Sequence, residues 1–332
     1  MEPDQPAATP EMHAVARRFA NGRGRDVAGV ARLGGGMANE VAIVTLDDGT
    51  RVVAKLAPAD GGGLSHERAL LPTEALALAA LATPEVAQPV PLEQFAVRGR
   101  DALVMTELPG APRVGGVPRD GLGRAVGAMH LAGARVDGVR FGYPHRPELQ
   151  ARSAREGYLC LVDAALADAR RFEVGLGRPV AEVRDRLAAA ASAFDSVHRP
   201  TLVHFDLWDG NVLLDDGDGD RAERISGFVD HERAMWADPT ADLASLALFT
   251  PVPEAILADA AFCDGYLAGT GRSPLEGDGA VERARLWAAY LAILMIVEAV
   301  PRRYSGDWFV DQDARTRAWF DATLDAIGGS AG

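Results

Sequence analysis

The chain has 332 residues, 48% hydrophobic and 24% charged, enough apolar material for one large domain or two lobes. Its formal charge of -13 and the lack of any basic tract argue against nucleic acid as a partner, because neutralising a phosphate backbone takes clustered Lys and Arg. The start, Met-Glu-Pro-Asp-Gln-Pro, has no apolar leader and no run reaches the length of a membrane span, so a cytoplasmic protein with no membrane partner is expected.

Residues 1 to 10, rich in Pro, Ala and acid, read as disordered. Met12, Val15, Ala16 and Phe19 recur at helical spacing and predict a short amphipathic helix over 11 to 20. From Val30 to Lys55 the pattern is of three antiparallel strands, the first two joined by a glycine loop (Gly34, Gly35, Gly36, then Asn39) and the next by an Asp48-Gly49 turn. Glycines between strands let backbone amides approach phosphates closely. Alone they read equally as a plain loop, and no Gly-Lys-Ser/Thr follows. Of the 34 basic residues only Lys55 is a lysine. A chain otherwise committed to arginine keeps one compact ammonium in mid-strand, where a forked guanidinium is a poor substitute.

A helix is predicted over 66 to 82. Glu74, in its apolar stretch, reads as the glutamate on the buried face, with Glu67, about two turns away, the competitor. Strands over 94 to 98 and 102 to 108 follow. Pro109, Gly110 and Pro112 then break the chain, which divides it into two units, 1–108 and 109–332. Helices are expected over 121 to 134, 155 to 172 and 180 to 194. His130 reads as a core or capping histidine, and Asp163, Asp168, Glu173, Glu182 and Asp185 as solvated faces. Cys160 and Cys263 lie in apolar helical patterns and read as reduced, buried thiols.

The chain is organised around residues 202 to 232. Two apolar runs, Val212 to Leu214 and Ile225 to Val229, flank an acidic, glycine-bearing turn that begins at Asp215 and predicts a hairpin. Before it stand His204, Asp206 and Asn211, spaced H-x-D-x-x-x-x-N, and at its end stands Asp230. Phosphoryl transfer needs such a set: one carboxylate to orient and deprotonate a hydroxyl, and an amide oxygen plus a second carboxylate to hold magnesium on nucleotide phosphates. Each residue singly is a common turn former. The fixed offsets, followed by two strands and a terminal acid, are what point to chemistry.

The segment His204 to Asn211, with Val229-Asp230-His231-Glu232 and the later Asp238-Pro239 and Asp242, resembles the aminoglycoside phosphotransferase and choline kinase-like family. The resemblance implies an α+β, two-lobed protein-kinase-like fold, with a small β-sheet N-lobe, a mostly helical C-lobe and nucleotide between them. It implies Asp206 as the catalytic base, Asn211 and Asp230 as Mg2+ ligands, and Lys55, held by Glu74, on the phosphates of ATP or GTP. Gly34, Gly35, Gly36 and Asn39 would cover the γ-phosphate, and Glu107 and Leu108 would form the hinge whose backbone meets the purine. His204 would brace the catalytic loop. Asp242, by default a helix N-cap, would support it. Two departures concern substrate subclass: Phe205 stands where a glycine is common and His231 where an aromatic is common.

C-terminal helices are predicted over 243 to 248, 254 to 268, 278 to 301 and 307 to 327. From the resemblance Glu298, Trp308, Asp311 and Asp313 are candidates to face the acceptor. The expected acceptor is a small-molecule hydroxyl, on an aminoglycoside or other antibiotic, with an amino sugar or endogenous metabolite as the alternative. Choline suits the chain less, since a quaternary ammonium wants an aromatic cage and 6% of residues are aromatic. A non-catalytic nucleotide-binding regulatory module is the rival from another class. A protein kinase is disfavoured, because no Ala-Pro-Glu follows Asp230 and the passage to Asp238 is too short for a peptide platform. A monomer or homodimer is expected.

Overall fold

Branched residues spaced along 27–56 form three antiparallel strands, β1 (Val27–Leu33), β2 (Glu40–Leu46) and β3 (Arg51–Leu56). The hairpin of β4 (Pro91–Val97) and β5 (Arg100–Thr106), which turns through Arg98 and Gly99 at positive φ, completes a five-stranded sheet in the order β1-β2-β3-β5-β4. This computed structural model describes residues 7–34, 39–59, 63–84, 86–215 and 224–329. Gly35, Gly36 and the turn residues from Asp216 onward therefore lie outside the described residues.

Helix α1 (Pro10–Asn21) covers one side of the sheet with Met12, Val15, Ala16 and Phe19. Order begins before its expected start: Thr9 caps the helix through Met12 N and donates its hydroxyl to Glu40 at 2.6 Å. Helix α2 (Leu70–Ala80) covers the other side, packing Leu71, Ala75 and Leu78 on Leu103 and Met105. It starts at Leu70 rather than 66 because Ala69 is left-handed (φ 60), which breaks the helical path there and leaves Glu67 off the helix.

The larger half is helical: α3 (Arg119–Gly133), α4 (Ala154–Arg171), α5 (Val180–Ala190), α6 (Thr240–Leu246), α7 (Val252–Ala258), α8 (Ala260–Thr270), α9 (Ala280–Glu298) and α10 (Asp307–Ala326). Helix α9, apolar on nearly every face, lies at its centre against α4, α6 and α10. The single helix expected over 254 to 268 is two, because Asp259 leaves the helical conformation and caps α8 through Phe262 N at 3.0 Å. Helices α3 and α8 cross closely: a Cβ on Gly265 would stand 2.1 Å from the Asp120 carbonyl oxygen.

Short strands brace the centre. β6 (Ala111–Pro112) pairs with β10 (Val212–Asp215), which forms the expected hairpin with β11 (Arg224–Phe228). β7 (Phe141–Gly142), β8 (Gln150–Ala151), β9 (Thr201–Val203) and β12 (Met235–Ala237) form a second small sheet in the order β8-β7-β12-β9. The two-lobed α+β architecture is thus the one the sequence implies.

Two expectations need correction. Asp168 is buried, not solvated, and its carboxylate accepts from Ser65 N and Oγ at 2.5 and 2.8 Å. Cys160 and Cys263 are half-buried rather than enclosed, because their helices turn these positions toward the edge of the core. Among the described residues no helix is long and apolar enough to cross a membrane.

Asp238 ties the loop after β12 to α9. Its buried carboxylate accepts from Arg283 Nε at 2.9 Å, Trp287 Nε1 at 2.7 Å and Thr240 Oγ1 at 2.7 Å. Removing one member of a buried pair strands the other charge, so Asp238→Ala is expected to cost about 3–5 kcal/mol in urea unfolding. A loss below about 1 kcal/mol would show that Arg283 finds compensation elsewhere.

Candidate active site

Lys55 points inward from β3, with its ammonium 2.7 Å from Glu74 Oε1 on α2 and 2.7 Å from Asp230 Oδ1 after β11. Burial works against its charge, but Asp230, Glu74 and Glu232 more than offset this and hold the proton on more tightly than in water. Asp230 is left-handed (φ 67), a strained conformation for a residue with a Cβ, and it turns the chain back beneath the sheet. Its side chain remains 39% exposed, while that of Glu74 is fully buried. Burial pushes the Asp230 carboxyl up, yet the Lys55 ammonium and its hydrogen bond prevail and keep it below the usual carboxylate range. Glu74 goes the other way: burial, assisted by Asp230, outweighs Lys55 and raises it.

Asp206 and Asn211 lie on the loop between β9 and β10. Asn211 Nδ2 donates to the Asp206 carbonyl at 2.8 Å and to Asp206 Oδ2 at 3.1 Å, which turns Oδ1 away from that carboxylate. Burial raises the Asp206 carboxyl, Arg233 opposes the rise and Asp230 adds to it; the net position is above the ordinary range. A base of raised affinity for protons suits the abstraction of a hydroxyl proton.

The loop is held from below. Asp242, in the first turn of α6, accepts from Phe205 N at 2.6 Å and His204 N at 3.3 Å, and His130 Nε2 lies 2.9 Å from the same carboxylate. Ser245 Oγ, one turn on, accepts from Leu207 N at 2.9 Å. His204 accepts from Asp206 N at Nδ1 (3.2 Å), so the ring nitrogen facing the Val229 carbonyl at 3.0 Å, Nε2, is the donor. Both departures from the family pattern have physical meaning. Phe205 has φ 60, the region glycine enters freely, and its ring compensates by packing in the core on Trp287 and Tyr290. His231 packs against His204 with ring centroids 4.2 Å apart and the planes tilted by 45°; both its ring nitrogens are unpartnered among the described residues, and burial drives its pKa far down, so it serves as a neutral ring.

The other expected site residues are distributed as follows. Gly34 is exposed at the end of β1, and Asn39, at the start of β2, donates its amide to Glu232 Oε2 at 2.5 Å instead of facing open space. The Glu107 carboxylate is engaged by Arg51 at 2.7 Å, which leaves only its backbone for a hinge, and Leu108 lies against Gly227 of β11. Glu298 is buried and grips Arg233 Nη2 at 2.6 Å, so it does not line the cleft; Asp313 pairs with Arg317 at 2.7 Å. Trp308 and Asp311 are exposed. Glu67, the competitor of Glu74, bonds Leu64 N and Arg302 and does not reach Lys55.

Two residues escaped the sequence reading. Glu232, two positions past Asp230 on the short turn after β11, brings a third carboxylate within 4.8 Å of those of Glu74 and Asp230. Burial, Asp230 and Glu74 outweigh Lys55 and push its carboxyl up to about 8. Its signal was its place in the Asp230-His231-Glu232 triplet. Arg233, buried beside Asp206, gave none.

A lone ammonium clamped between two acids, opposite a carboxylate able to take a hydroxyl proton, is the equipment of a kinase-type phosphotransferase that works on an alcohol. The chain belongs to the phosphotransferase enzyme family, whose model matches residues 29–277. Among solved structures, a thermostable mutant of aminoglycoside phosphotransferase APH(4)-Ia shares 18% identity and a TM-score of 0.62 over 95% of this chain and 99% of that one. A putative fructosamine-3-kinase from Haemophilus somnus shares 17% and 0.63 over 93% and 96%. A microcompartment-associated aminopropanol kinase shares 16% and 0.61 over 96% and 98%. No curated protein sequence matches the chain.

The raised Glu232 carboxyl gives a pH test. The folded state binds its proton more tightly than the unfolded one, so the residue costs nothing below about pH 4.5 and destabilises increasingly up to about pH 8. Glu232→Gln, which keeps the contact with Asn39, is expected to raise the melting temperature of the ligand-free protein by several degrees at pH 8 and by progressively less toward pH 5. A pH-independent difference would contradict the assignment.

Proposed function

We propose that the protein transfers the γ-phosphate of ATP or GTP to a hydroxyl of a small amine-bearing acceptor, an aminoglycoside or related antibiotic, and so inactivates it in the cytoplasm. The observation that carries this reading is the convergence of Lys55, Glu74, Asp230 and the Asp206–Asn211 pair from four separate stretches of chain. Asp206 would orient the acceptor hydroxyl and take its proton as the oxygen attacks phosphorus. Lys55, fixed by Glu74, would hold the phosphates in line, and positioning with charge neutralisation would carry most of the rate.

The donor set fits a hard divalent cation: an amide oxygen and a partly exposed carboxylate, with a third acid beside them. Asn211 and Asp230 would bind magnesium, with Glu232 adjacent, and the ion supplies charge neutralisation on the phosphates. Gly34, Gly35 and Gly36 would lie over the γ-phosphate, Asn39 would brace their loop through Glu232 rather than meet the phosphate, and the backbone of Glu107 and Leu108 would meet the base.

Trp308, which would serve the acceptor, lies 5.3 Å from Tyr304, whose hydroxyl accepts from Arg302, and the exposed Asp307 and Asp311 stand one residue before and three after it on α10. An exposed aromatic face set among unpaired acids suits an amine-bearing ring. A related solved structure is a ternary complex with ADP and hygromycin B. The fructosamine and aminopropanol kinases support phosphorylation of an amino sugar or amino alcohol as the second reading.

Labelled ATP and GTP offered with aminoglycosides, macrolides, amino sugars and casein separate these readings. Transfer to an aminoglycoside is expected; transfer to amino sugars alone selects the second reading, and to casein alone overturns both. Asp206→Asn is expected to lower turnover by roughly 10²–10⁴-fold with little change in ADP affinity. Lys55→Arg, although it conserves charge, is expected to weaken nucleotide use by at least about tenfold. Wild-type kinetics in either variant would remove that residue from its role.

A further inference from the structure

Helix α2 carries Glu74 but has a weak start of its own. Ala69 supplies no side-chain cap, and the first turn bears no acid. What fixes the helix is the segment before it, gripped by side chains from the helical half. Arg171 donates to the Gly63 carbonyl at 2.6 Å; Asp168 accepts from Ser65 N and Oγ; Arg146 donates to the Ser65 carbonyl; and Arg302 pairs with Glu67. His66 stacks on Tyr143 at 5.1 Å. Burial, opposed by Glu67 and reinforced by Arg233, Arg302 and Arg146, pushes this imidazole down to about 3, so it packs as a neutral ring.

Arg302 differs from the other holders because it belongs to a buried chain of alternating charge. It pairs with Glu67 on one side and lies 3.6 Å from Glu298 on the other; Glu298 holds Arg233 at 2.6 Å, and the Arg233 charge acts on the Asp206 carboxyl. The four side chains of these pairs are each at most 9% exposed. Two guanidiniums and two carboxylates balance, so the chain is held by mutual neutralisation, and loss of one member leaves a buried charge uncompensated. These pairs run from the segment before α2 to Arg233, whose charge opposes the upward shift of the carboxylate proposed to take the acceptor's proton.

We propose that Arg302 is a positioning residue: by bridging Glu67 to Glu298 it seats the start of α2, sets Glu74 against Lys55, and couples the nucleotide side of the site to the acceptor side. The inference rests on the reading of Lys55 and Glu74 as the nucleotide seat.

The test measures binding of a fluorescent ADP analogue, which needs no knowledge of the acceptor, together with melting temperature, for Arg302→Met, Arg302→Lys, Glu67→Gln and the Glu67→Gln/Arg302→Met double variant. Arg302→Met is expected to weaken the analogue roughly tenfold. Arg302→Lys recovers most of the affinity, and the double variant loses less than the product of the two single losses. Should Arg302→Met fail to fold, Glu67→Gln, isosteric and milder, gives the same comparison. Variants that melt lower but bind the analogue like the wild type would overturn the proposal and leave Arg302 as a stabiliser only. If Lys55→Met also binds normally, the nucleotide reading itself fails, and the inference with it.

Discussion

The structure depends on one buried cation. An ammonium removed from water is tolerated only when fixed negative charge replaces its hydration, and Lys55 receives that charge from two directions, Glu74 on α2 and Asp230 at the end of the hairpin. These contacts join elements of different origin: a strand of the small sheet, the helix packed on it and a hairpin of the helical half. Satisfying that charge draws the sheet, α2 and the end of the hairpin onto one point, beside the contacts that the Ser65 and Glu67 segment makes with the helical half.

Around it the acids are graded by environment rather than by type. Asp230, half open and bonded to the ammonium, stays ionised, whereas Glu74, Glu232 and Asp206 are all shifted upward by burial and by the Asp230 charge. Such separation lets one small volume hold a carboxylate fit for a cation beside one fit for a proton. Backbone strain falls in the same place, with Phe205, the neighbour of Asp206, and Asp230 both left-handed. The restraining bonds come from α6 and from a core aromatic cluster, so the loop is held from the solid part of the molecule.

What the sequence revealed was what spacing and turn chemistry encode. The H-x-D-x-x-x-x-N run, the hairpin behind it, the lone lysine in a strand and the apolar stretch around Glu74 are local patterns, and the structure brings their residues together. What stayed hidden depends on contacts between distant positions. Asp168 has the helical spacing of a solvated acid and is buried where Ser65, distant in the chain, meets it beside Arg171. Glu298 looked like an acceptor contact but turns inward because Arg233 and Arg302 surround it. The breaks at Ala69 and Asp259 interrupt stretches of good helical periodicity, since a single residue's conformation ends a helix without altering the pattern around it.

The central claim, that these side chains form one seat for a triphosphate and its metal, is tested most directly by a crystal structure with a non-hydrolysable ATP analogue and Mn2+, read by anomalous scattering. The account predicts a manganese peak bonded to Asn211 Oδ1 and the Asp230 carboxylate, with the Lys55 ammonium on the phosphates. Manganese bound elsewhere, or a nucleotide seated away from Lys55, would contradict it.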